Sequence, residues 1–329
     1  MTAENSAGVT HRTAVERSVA VDRFRGLAIM LMVVANFLSG NRFVPAWLKH
    51  APDIGLTAID LIAPFFIFAI GLTLVDSARR RAEREGRRAA IRHHVVRYLA
   101  ILGIGAVISA GEQLVGQSGN MLVWGVLQAI GVAGLLMLPV IFAPATIRLT
   151  YAVVLLACFQ LASAAGWNDL VFRWSHGGLP GSISWAGMLA LATVFPDLES
   201  RHRLAVTAAS LLLLGSGLAL SLIVAVSKNR VSASYVVLTT GASGLLYTLF
   251  MLTDGIGTYR PGVLTWWGRN PLLLYLLHYV LLAIVVLPDT PAWYVEAAPW
   301  LIATQGVVLI ALLTAVAWLM HRHHLTVRL

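Results

Sequence analysis

Three polar residues near the start of the chain have side chains that suit catalysis: Asn36, His50 and Asp60. Asp60 lies inside the apolar run HAPDIGLTAIDLIAPFFIFAIG, residues 50–71, where an ionisable side chain is costly and usually serves a pathway or a site. A histidine can act as a general base, an amide N–H can hold a carbonyl or a developing oxyanion, and a carboxylate can orient the histidine. Each residue also has a structural interpretation, as a helix–helix contact, a loop histidine or a helix cap.

A second group of polar residues is predicted to form an inner mouth. Arg25, Arg269 and Asn270 lie at helix starts, His278 lies near mid-membrane, and Gln128 lies in WGVLQAIG. A cationic, amide-lined mouth suits a phosphate-bearing ligand that enters from the cytoplasm, because arginine offers phosphate two parallel hydrogen bonds. The structural alternative is snorkelling arginines and helix–helix hydrogen bonds.

The two lysines, Lys49 and Lys228, and the histidine His176 fall in predicted outer connections. Contact with an anionic acceptor, through a carboxylate or phosphate, is one interpretation of the lysines. Two solvated loop charges are the other, and we favour it; His176 would border the entrance. The single cysteine, Cys158, has no partner for a disulfide, so a Cys-based metal site is not expected, and we predict no metal.

The composition predicts an all-α, polytopic integral membrane protein. Hydrophobic residues make up 58% of the chain, charged residues make up 12%, and the mean hydropathy is +0.78. We expect one transmembrane domain over residues 1–329, with residues 1–20 as a polar cytoplasmic segment. About ten spans are predicted, at residues 22–40, 55–76, 95–115, 121–142, 147–166, 182–197, 204–226, 233–253, 268–288 and 298–320.

The distribution of arginine predicts the orientation of these spans. Seven arginines crowd the connection after the second span, within residues 79–92. The first twenty residues lack the apolar core of a signal peptide, so we expect a cytoplasmic start, and alternation then places both termini in the cytoplasm. The net charge of +9 thus reflects topology and not nucleic-acid binding. This orientation puts Asn36, His50 and Asp60 together in one outward-facing pocket.

Five stretches, in order along the chain, carry a resemblance to a known family. They are VDRFRGLAIMLMVVANF, HAPDIGLTAIDLIAPFFIFAIG, GVLQ, SKNRVSASYVVLTTG and GRNPLLLYLLHY. Together they resemble the transmembrane acyltransferase family typified by lysosomal heparan-alpha-glucosaminide N-acetyltransferase and its bacterial relatives. The resemblance implies a polytopic enzyme that takes the acetyl group of cytosolic acetyl-CoA and places it on an amino sugar across the membrane. It also implies that Asn36 and His50 are the catalytic pair.

The chain departs from the family pattern in two ways, which leave the acceptor open. The connection between Asn36 and His50 is slightly longer than in the lysosomal enzyme, and the large lumenal domain is missing. We expect His50 to act as general base, Asn36 to hold the thioester carbonyl or oxyanion through its N–H, and Asp60 to orient His50. An acyl-histidine intermediate is the alternative route.

The expected setting is the plasma membrane of a prokaryote. Acetyl-CoA, or another acyl-CoA, is the expected co-substrate of an N- or O-acetyltransferase. Partners are membrane lipids and an extracytoplasmic glycan or amino sugar, with no nucleic acid; a homodimer is one option for the oligomeric state. A flippase of lipid-linked sugars is the competing function. An O-antigen type acyltransferase is a nearer rival, but it carries histidine where this chain has Asn36.

Overall fold

The computed structural model describes residues 18–114, 123–253, 262–286 and 291–327, and over these residues the protein is all-α. Its helices are α1 (Val19–Ser39), α2 (Ile62–Glu85), α3 (Arg87–Leu114), α4 (Val126–Met137), α5 (Ala145–Ala162), α6 (Asn168–Phe172), α7 (Gly178–Ala192), α8 (Phe195–Arg201), α9 (Arg203–Ser221), α10 (Ala233–Thr253), α11 (Val263–Arg269), α12 (Pro271–Val286), α13 (Ala292–Val295) and α14 (Pro299–Arg322). Short 3₁₀ segments at Ala46–Leu48 and Ala58–Leu61 lie between α1 and α2.

Seven of the described helices are long and apolar enough to cross a membrane, and the bent pair α11–α12 makes up to eight. The protein is therefore a multi-pass membrane protein. Helices occur in all ten predicted stretches, but two of these helices are not both long and apolar enough to count as membrane spans. Charged residues occupy the first turns of α1, and the apolar helix Val126–Val140 is short. The predicted sixth span, in contrast, is longer than expected, because the helical stretch Ser175–Arg201 starts within the glycine- and serine-rich sequence SHGGLPGSIS.

Two spans occupy the centre of the bundle. In the spans Ala58–Glu85 and Ser175–Arg201, 78% of the apolar window is buried, whereas the corresponding figure for α14 is 17%. α2 packs against α1, α3, α7 and α10, and α7 packs against α2, α4, α5 and α10. The outer helices keep apolar side chains on their exposed faces, as expected of surfaces that contact lipid. These two central spans thus support the polar residues of the candidate site.

Glycine allows α1 and α11 to touch through their backbones. A β-carbon at Gly26 would lie 1.8 Å from the carbonyl oxygen of Leu264, and one at Gly268 would lie 1.9 Å from that of Asp22. Small residues permit this kind of close approach between membrane helices. Directly after α11 the chain bends by 92° before α12 begins. The bend lets α12 run along α1 and bring its own polar residues to the far end of that helix.

Candidate active site

A cavity of about 190 Å³ lies where α1 and α3 end and where α2, α4 and α7 begin. Its wall brings together six residues that the sequence singled out: Asn36, His50, Asp60, Gln128, His176 and Lys228. The expected convergence of Asn36, His50 and Asp60 is therefore seen in the structure. The cavity is smaller than the roughly 300 to 1,000 Å³ of typical ligand sites, so it has room for only part of a ligand of that size.

His50 and Asp60 form a hydrogen-bonded pair. His50 Nδ1 lies 2.7 Å from Asp60 Oδ1. Asp60 Oδ2 accepts hydrogen bonds from the Ala51 amide at 3.2 Å, the Thr57 amide at 2.9 Å and the Thr57 hydroxyl at 3.0 Å. A carboxylate oxygen accepts, so the imidazole carries its proton on Nδ1 and donates it to Asp60. His50 Nε2 is then the basic nitrogen.

The exposure of the two side chains differs in a way that suits a base and its orienting group. The Asp60 side chain is fully buried, whereas the His50 side chain is 49% exposed. Asp60 belongs to the 3₁₀ segment Ala58–Leu61 that leads into α2, and Thr57 caps this segment. The carboxylate thus has two functions, because it closes the start of a central span and holds the imidazole in one tautomer.

Asn36 is oriented by α12. Its amide nitrogen Nδ2 lies 3.0 Å from His278 Nε2 and donates to the Tyr279 hydroxyl at 3.5 Å. His278 Nδ1 is hydrogen-bonded to the carbonyl of Tyr275, which can only accept, so Nε2 is the accepting nitrogen of His278. Both amide hydrogens of Asn36 are therefore engaged. Among the described residues its Oδ1 has no partner, and it is this oxygen that can receive a donor in the cavity.

This arrangement corrects two expectations from the sequence. Asn36 was expected to offer an N–H to the thioester carbonyl, but its N–H groups point to His278 and Tyr279 instead. His278 was expected to belong to the inner mouth, but it lies beside Asn36 and accepts its hydrogen bond, so its part in co-substrate binding stays a prediction. Burial explains the second difference, because His278 is fully buried and its two nitrogens already have partners.

Lys228 is only 7% exposed and lines the cavity, so the interpretation of this lysine as a solvated loop charge is wrong. Burial lowers the pKa of its ammonium group to about 8, while the nearby Asp60 carboxylate acts in the opposite direction. The other lysine behaves differently. Lys49 donates to the Arg42 carbonyl at 3.3 Å and is not among the residues that line the cavity.

The position of Lys228 depends on a clamp between its own segment and the loop that carries His50. Arg230 binds Asp53 through Nη2–Oδ2 at 2.5 Å and Nε–Oδ1 at 3.1 Å. The hydroxyl of Ser227 also donates to Asp53 Oδ1, at 2.9 Å. We call this set, Asp53 with Ser227 and Arg230, the loop clamp. It joins two segments about 175 residues apart in the chain and brings Lys228 to His50.

His176 borders the cavity, as expected. Its Nδ1 lies 3.3 Å from the carbonyl oxygen of Trp124, and its own carbonyl accepts a hydrogen bond from Trp185 Nε1 at 3.1 Å. His176 adopts a φ of 56°, in the left-handed region that residues other than glycine rarely occupy. The side chain is thus presented at the start of α7, next to Lys228 and Asp60.

Gln128 lies at the His50 end of the bundle and not at the inner mouth. Its Nε2 donates to Ser109 at 2.8 Å and to the Val123 carbonyl at 3.2 Å, and its Oε1 accepts from the Gly125 amide at 3.1 Å. The side chain closes the start of α4. Gln128 is therefore not grouped with the arginines as expected, because it lies at the start of α4, in the wall of the His50 cavity, and its role in co-substrate binding stays a prediction.

The remaining inner-mouth residues lie away from the cavity. Arg25 is eleven residues before Asn36 on α1, or about 16 Å along a helix. It donates to Thr73 at 3.2 Å and to Gly268 at 3.4 Å. Arg269 Nη1 lies 2.7 Å from His321 Nδ1, and Asn270 binds the backbone of Leu325 at 3.1 Å. These three residues do form one group near the α11–α12 bend, as the sequence suggested.

The cavity residues that the sequence analysis did not single out include Ser109, Glu112, Tyr275 and Tyr279. The tyrosines had a usable signal, because positions 275, 278 and 279 share one face of a helix. Glu112 had one too, as an acid near the outer end of an apolar run. Among the residues that the structure describes, no group of three metal-binding side chains occurs, and the prediction of a metal-free site stays a prediction.

Comparison with known proteins finds a family that matches the part of the chain containing most of the site residues. Residues 17–178 match the model of the family described as heparan-alpha-glucosaminide N-acetyltransferase, catalytic. The mouse heparan-alpha-glucosaminide N-acetyltransferase is 32% identical over 126 residues, which are 37% of this chain and 19% of the mouse protein. The human protein of the same name is 31% identical over 116 residues, 34% of this chain and 17% of the human protein.

The matched region contains Asn36, His50 and Asp60 together with Gln128 and His176, whereas Lys228 and His278 lie beyond it. The chain matches about a fifth of the length of these curated relatives. Through residues 17–178 the chain belongs to the family of the heparan-alpha-glucosaminide N-acetyltransferase catalytic domain.

Proposed function

We propose that the protein is a membrane-embedded acetyltransferase that moves the acetyl group of acetyl-CoA to an amino sugar or glycan on the outer side of the membrane. Membership of the catalytic-domain family implies a membrane N-acetyltransferase. One observation carries the proposal for this chain: the His50–Asp60 pair and Asn36 share a cavity, and each side chain is held in one orientation.

His50 Nε2 is the general base in this proposal. An amine attacks the thioester carbon as it loses a proton, and a histidine whose Nδ1–H is held by a carboxylate accepts that proton at Nε2. Asp60 keeps the imidazole in this tautomer and stabilises the imidazolium that forms. Asn36 Oδ1 accepts a hydrogen bond from an N–H of the amine substrate. This hydrogen bond directs the lone pair of the amine nitrogen toward the thioester carbon. Direct transfer and an acyl-histidine intermediate both use the same nitrogen.

The co-substrate is expected to span from the inner mouth to the cavity. The thioester end of acetyl-CoA fits the cavity of about 190 Å³. The phosphates would then lie near Arg25, Arg269 and Asn270. Arg269 Nε is buried and has no hydrogen-bond partner among the described residues, so one donor remains for an anion there. Arg25 already donates hydrogen bonds to Thr73 and Gly268, and it would have to share these donors with a phosphate.

The setting of this reaction follows from the sequence-based topology. We propose ten spans in one domain over residues 1–329, with both termini in the cytoplasm and the His50 loop outside. The plasma membrane of a prokaryote is the proposed compartment. Lys49, which is not among the residues that line the cavity, is proposed to be a solvated loop charge, and a homodimer is one option for assembly.

The first test is transfer of radiolabelled acetyl from acetyl-CoA to a panel of amino sugars and glycolipids. His50→Ala should abolish transfer, because the proposal assigns the proton of the attacking nitrogen to His50 Nε2, and should leave acetyl-CoA binding intact. It should also remove the acid limb of the pH–rate profile in any residual activity. His323→Ala, at an exposed site near the end of α14, is the matched control.

Transfer by the His50→Ala protein at the parent's rate would remove the histidine from the mechanism. A purified protein that carries a polyprenyl-linked sugar and does not bind acetyl-CoA would instead support a flippase.

A further inference from the structure

We propose that the Lys228 ammonium group stabilises the oxyanion that forms when the thioester is attacked, an inference that rests on the acyl transfer proposed above. Acyl transfer develops negative charge on the carbonyl oxygen, and a preorganised donor aimed at that oxygen is usually the largest single contribution to catalysis. The cavity must therefore supply such a donor. The family match ends before residue 228, and the proposal depends on this chain's own contacts.

The amide side chains of the cavity are already engaged. Both N–H groups of Asn36 point to His278 and Tyr279, and both N–H groups of Gln128 point to Ser109 and Val123. Trp124 Nε1 is buried, has no partner among the described residues, and is a neutral donor. Lys228 is the one lysine or arginine among the described residues that line the cavity. An ammonium group makes the stronger hydrogen bond to an anionic oxygen, because it carries full charge.

The surroundings of Lys228 limit the positions that its ammonium group can take. Lys228 is 7% exposed, so its aliphatic stem is enclosed. The backbone around it is a tight turn, in which Val231 donates to the Lys228 carbonyl at 3.1 Å and adopts a φ of 49°. The loop clamp fixes the same turn to the loop of His50. These contacts preorganise the charge before substrate arrives.

The charges around Lys228 leave it available to a substrate. Asp60 and His50 belong to the loop before α2, His176 lies at the start of α7, and Glu112 lies near the end of α3. The Asp60 carboxylate is already occupied by four hydrogen bonds from His50, Ala51 and Thr57. Among the described residues, Lys228 Nζ has no hydrogen-bond partner. An oxyanion that forms in the cavity would give Lys228 Nζ a hydrogen-bond partner.

The proposed step balances as follows. The acceptor nitrogen forms a bond to the thioester carbon, His50 Nε2 takes the proton of that nitrogen, and the carbonyl electron pair moves to the oxygen beside Lys228. The oxyanion then collapses, the carbon–sulfur bond breaks, and the CoA sulfur leaves with the proton from His50. Lys228 keeps its own protons throughout. Its charge must be present at the start, so the rate should fall as the pH rises through about 8.

The test compares Lys228→Met and Lys228→Arg with Lys49→Met, which removes the only other lysine of the chain. Lys228→Met should lower kcat about 100-fold or more, with the KM values for acetyl-CoA and the amino sugar little changed. Lys49→Met should match the parent. In Lys228→Arg the alkaline fall in rate should move to higher pH, because guanidinium stays charged.

A spectroscopic measurement reports the same contact without turnover. Infrared difference spectra of bound acetyl-CoA with an isotope-labelled carbonyl should show a lower stretching frequency in the parent and in Lys49→Met than in Lys228→Met. If Lys228→Met does not fold, the comparison of Lys228→Arg with the parent, by spectrum and by pH profile, still decides the question.

Two results would overturn this role. One is an unchanged kcat and carbonyl frequency in Lys228→Met. The other is a raised KM for acidic acceptors alone, with kcat preserved, which would assign Lys228 to binding an anionic group of the acceptor. A parent that binds acetyl-CoA but transfers to no acceptor would instead refute the proposed function, and the infrared comparison would then report separately on Lys228.

Discussion

At the scale of single residues, the site depends on which N–H groups of each side chain already donate hydrogen bonds within the protein. His50 donates Nδ1–H to Asp60 and keeps Nε2 for chemistry, while Asn36 donates its amide hydrogens to α12 and keeps Oδ1. With other hydrogen-bond partners, the same side chains would present donors to the substrate where they now present acceptors. The identity of the partner therefore decides the role of each catalytic candidate.

This assignment predicts the effect of His278→Phe. Phenylalanine fills a similar volume but accepts no hydrogen bond, so the Asn36 amide would lose its 3.0 Å contact and rotate. We expect kcat to fall about tenfold or more, in the range seen when a supporting hydrogen bond is removed. Acetyl-CoA binding, measured by calorimetry, should be unchanged. Tyr151→Phe also removes a hydrogen bond of a half-buried side chain, but remote from the cavity, and should retain activity.

Equal kcat in His278→Phe and the parent would mean that Asn36 does not need His278 for its orientation.

At the scale of elements, the loop clamp joins the two segments that carry His50 and Lys228. Arg230 hydrogen-bonds the Asp53 carboxylate and holds the pKa of that group below its ordinary value, despite some opposition from burial. In the unfolded chain Asp53 protonates at a higher pH than in the folded protein. The stabilisation is therefore complete above the ordinary aspartate pKa and is lost as the pH falls through the lowered folded value.

Asp53→Asn tests the clamp. The pair is partly exposed, so we expect a loss of only about 1 kcal/mol in the free energy of unfolding near neutral pH, and a lower kcat. The difference in stability between parent and variant should shrink as the pH falls into the acid range, because the parent then also loses the charge. Thermal unfolding in detergent over a pH series measures this, with Glu83→Gln at an exposed site as control.

A stability difference that does not depend on pH would show that Asp53 acts through packing and not through its charge.

Elements also explain which parts of the site the sequence could predict. The convergence of Asn36, His50 and Asp60 followed from helix rise and a short connection between two antiparallel helices. The contact of Asn36 with His278 did not, because 242 residues separate them and the 92° bend after α11 sets the course of α12. The burial of Lys228 was equally hidden, since it depends on a clamp between segments about 175 residues apart.

At the scale of the whole molecule, the cavity and the arginine-lined group occupy opposite ends of the bundle. Arg25 and Asn36 mark these two ends on one helix, α1. Most predicted helices were found because long apolar runs leave little choice of structure in a membrane. The count of spans was less certain, since α1 begins with charges and α4 is short.

The orientation of the bundle can be tested by cysteine labelling. After Cys158 is replaced by alanine, single cysteines are placed at Ser39, at the end of α1, and at Ser77, in the arginine-rich part of α2. An impermeant thiol reagent added to intact cells should label Ser39→Cys and not Ser77→Cys. Permeabilised cells control for reactivity.

The reverse labelling pattern would place His50 in the cytoplasm and would exclude an extracytoplasmic acceptor.

The unequal exposure of His50 and Asp60 has a consequence for the size of the proposed acceptor. Asp60 is sealed inside the protein, while half of the His50 side chain is open at the rim. In the proposed reaction only the tip of the acceptor would therefore reach His50, and the remainder would stay outside the cavity. The degree of polymerisation should then matter little to the chemical step: a free monosaccharide and the end of a long polymer would turn over alike once bound, and differ mainly in how often they arrive.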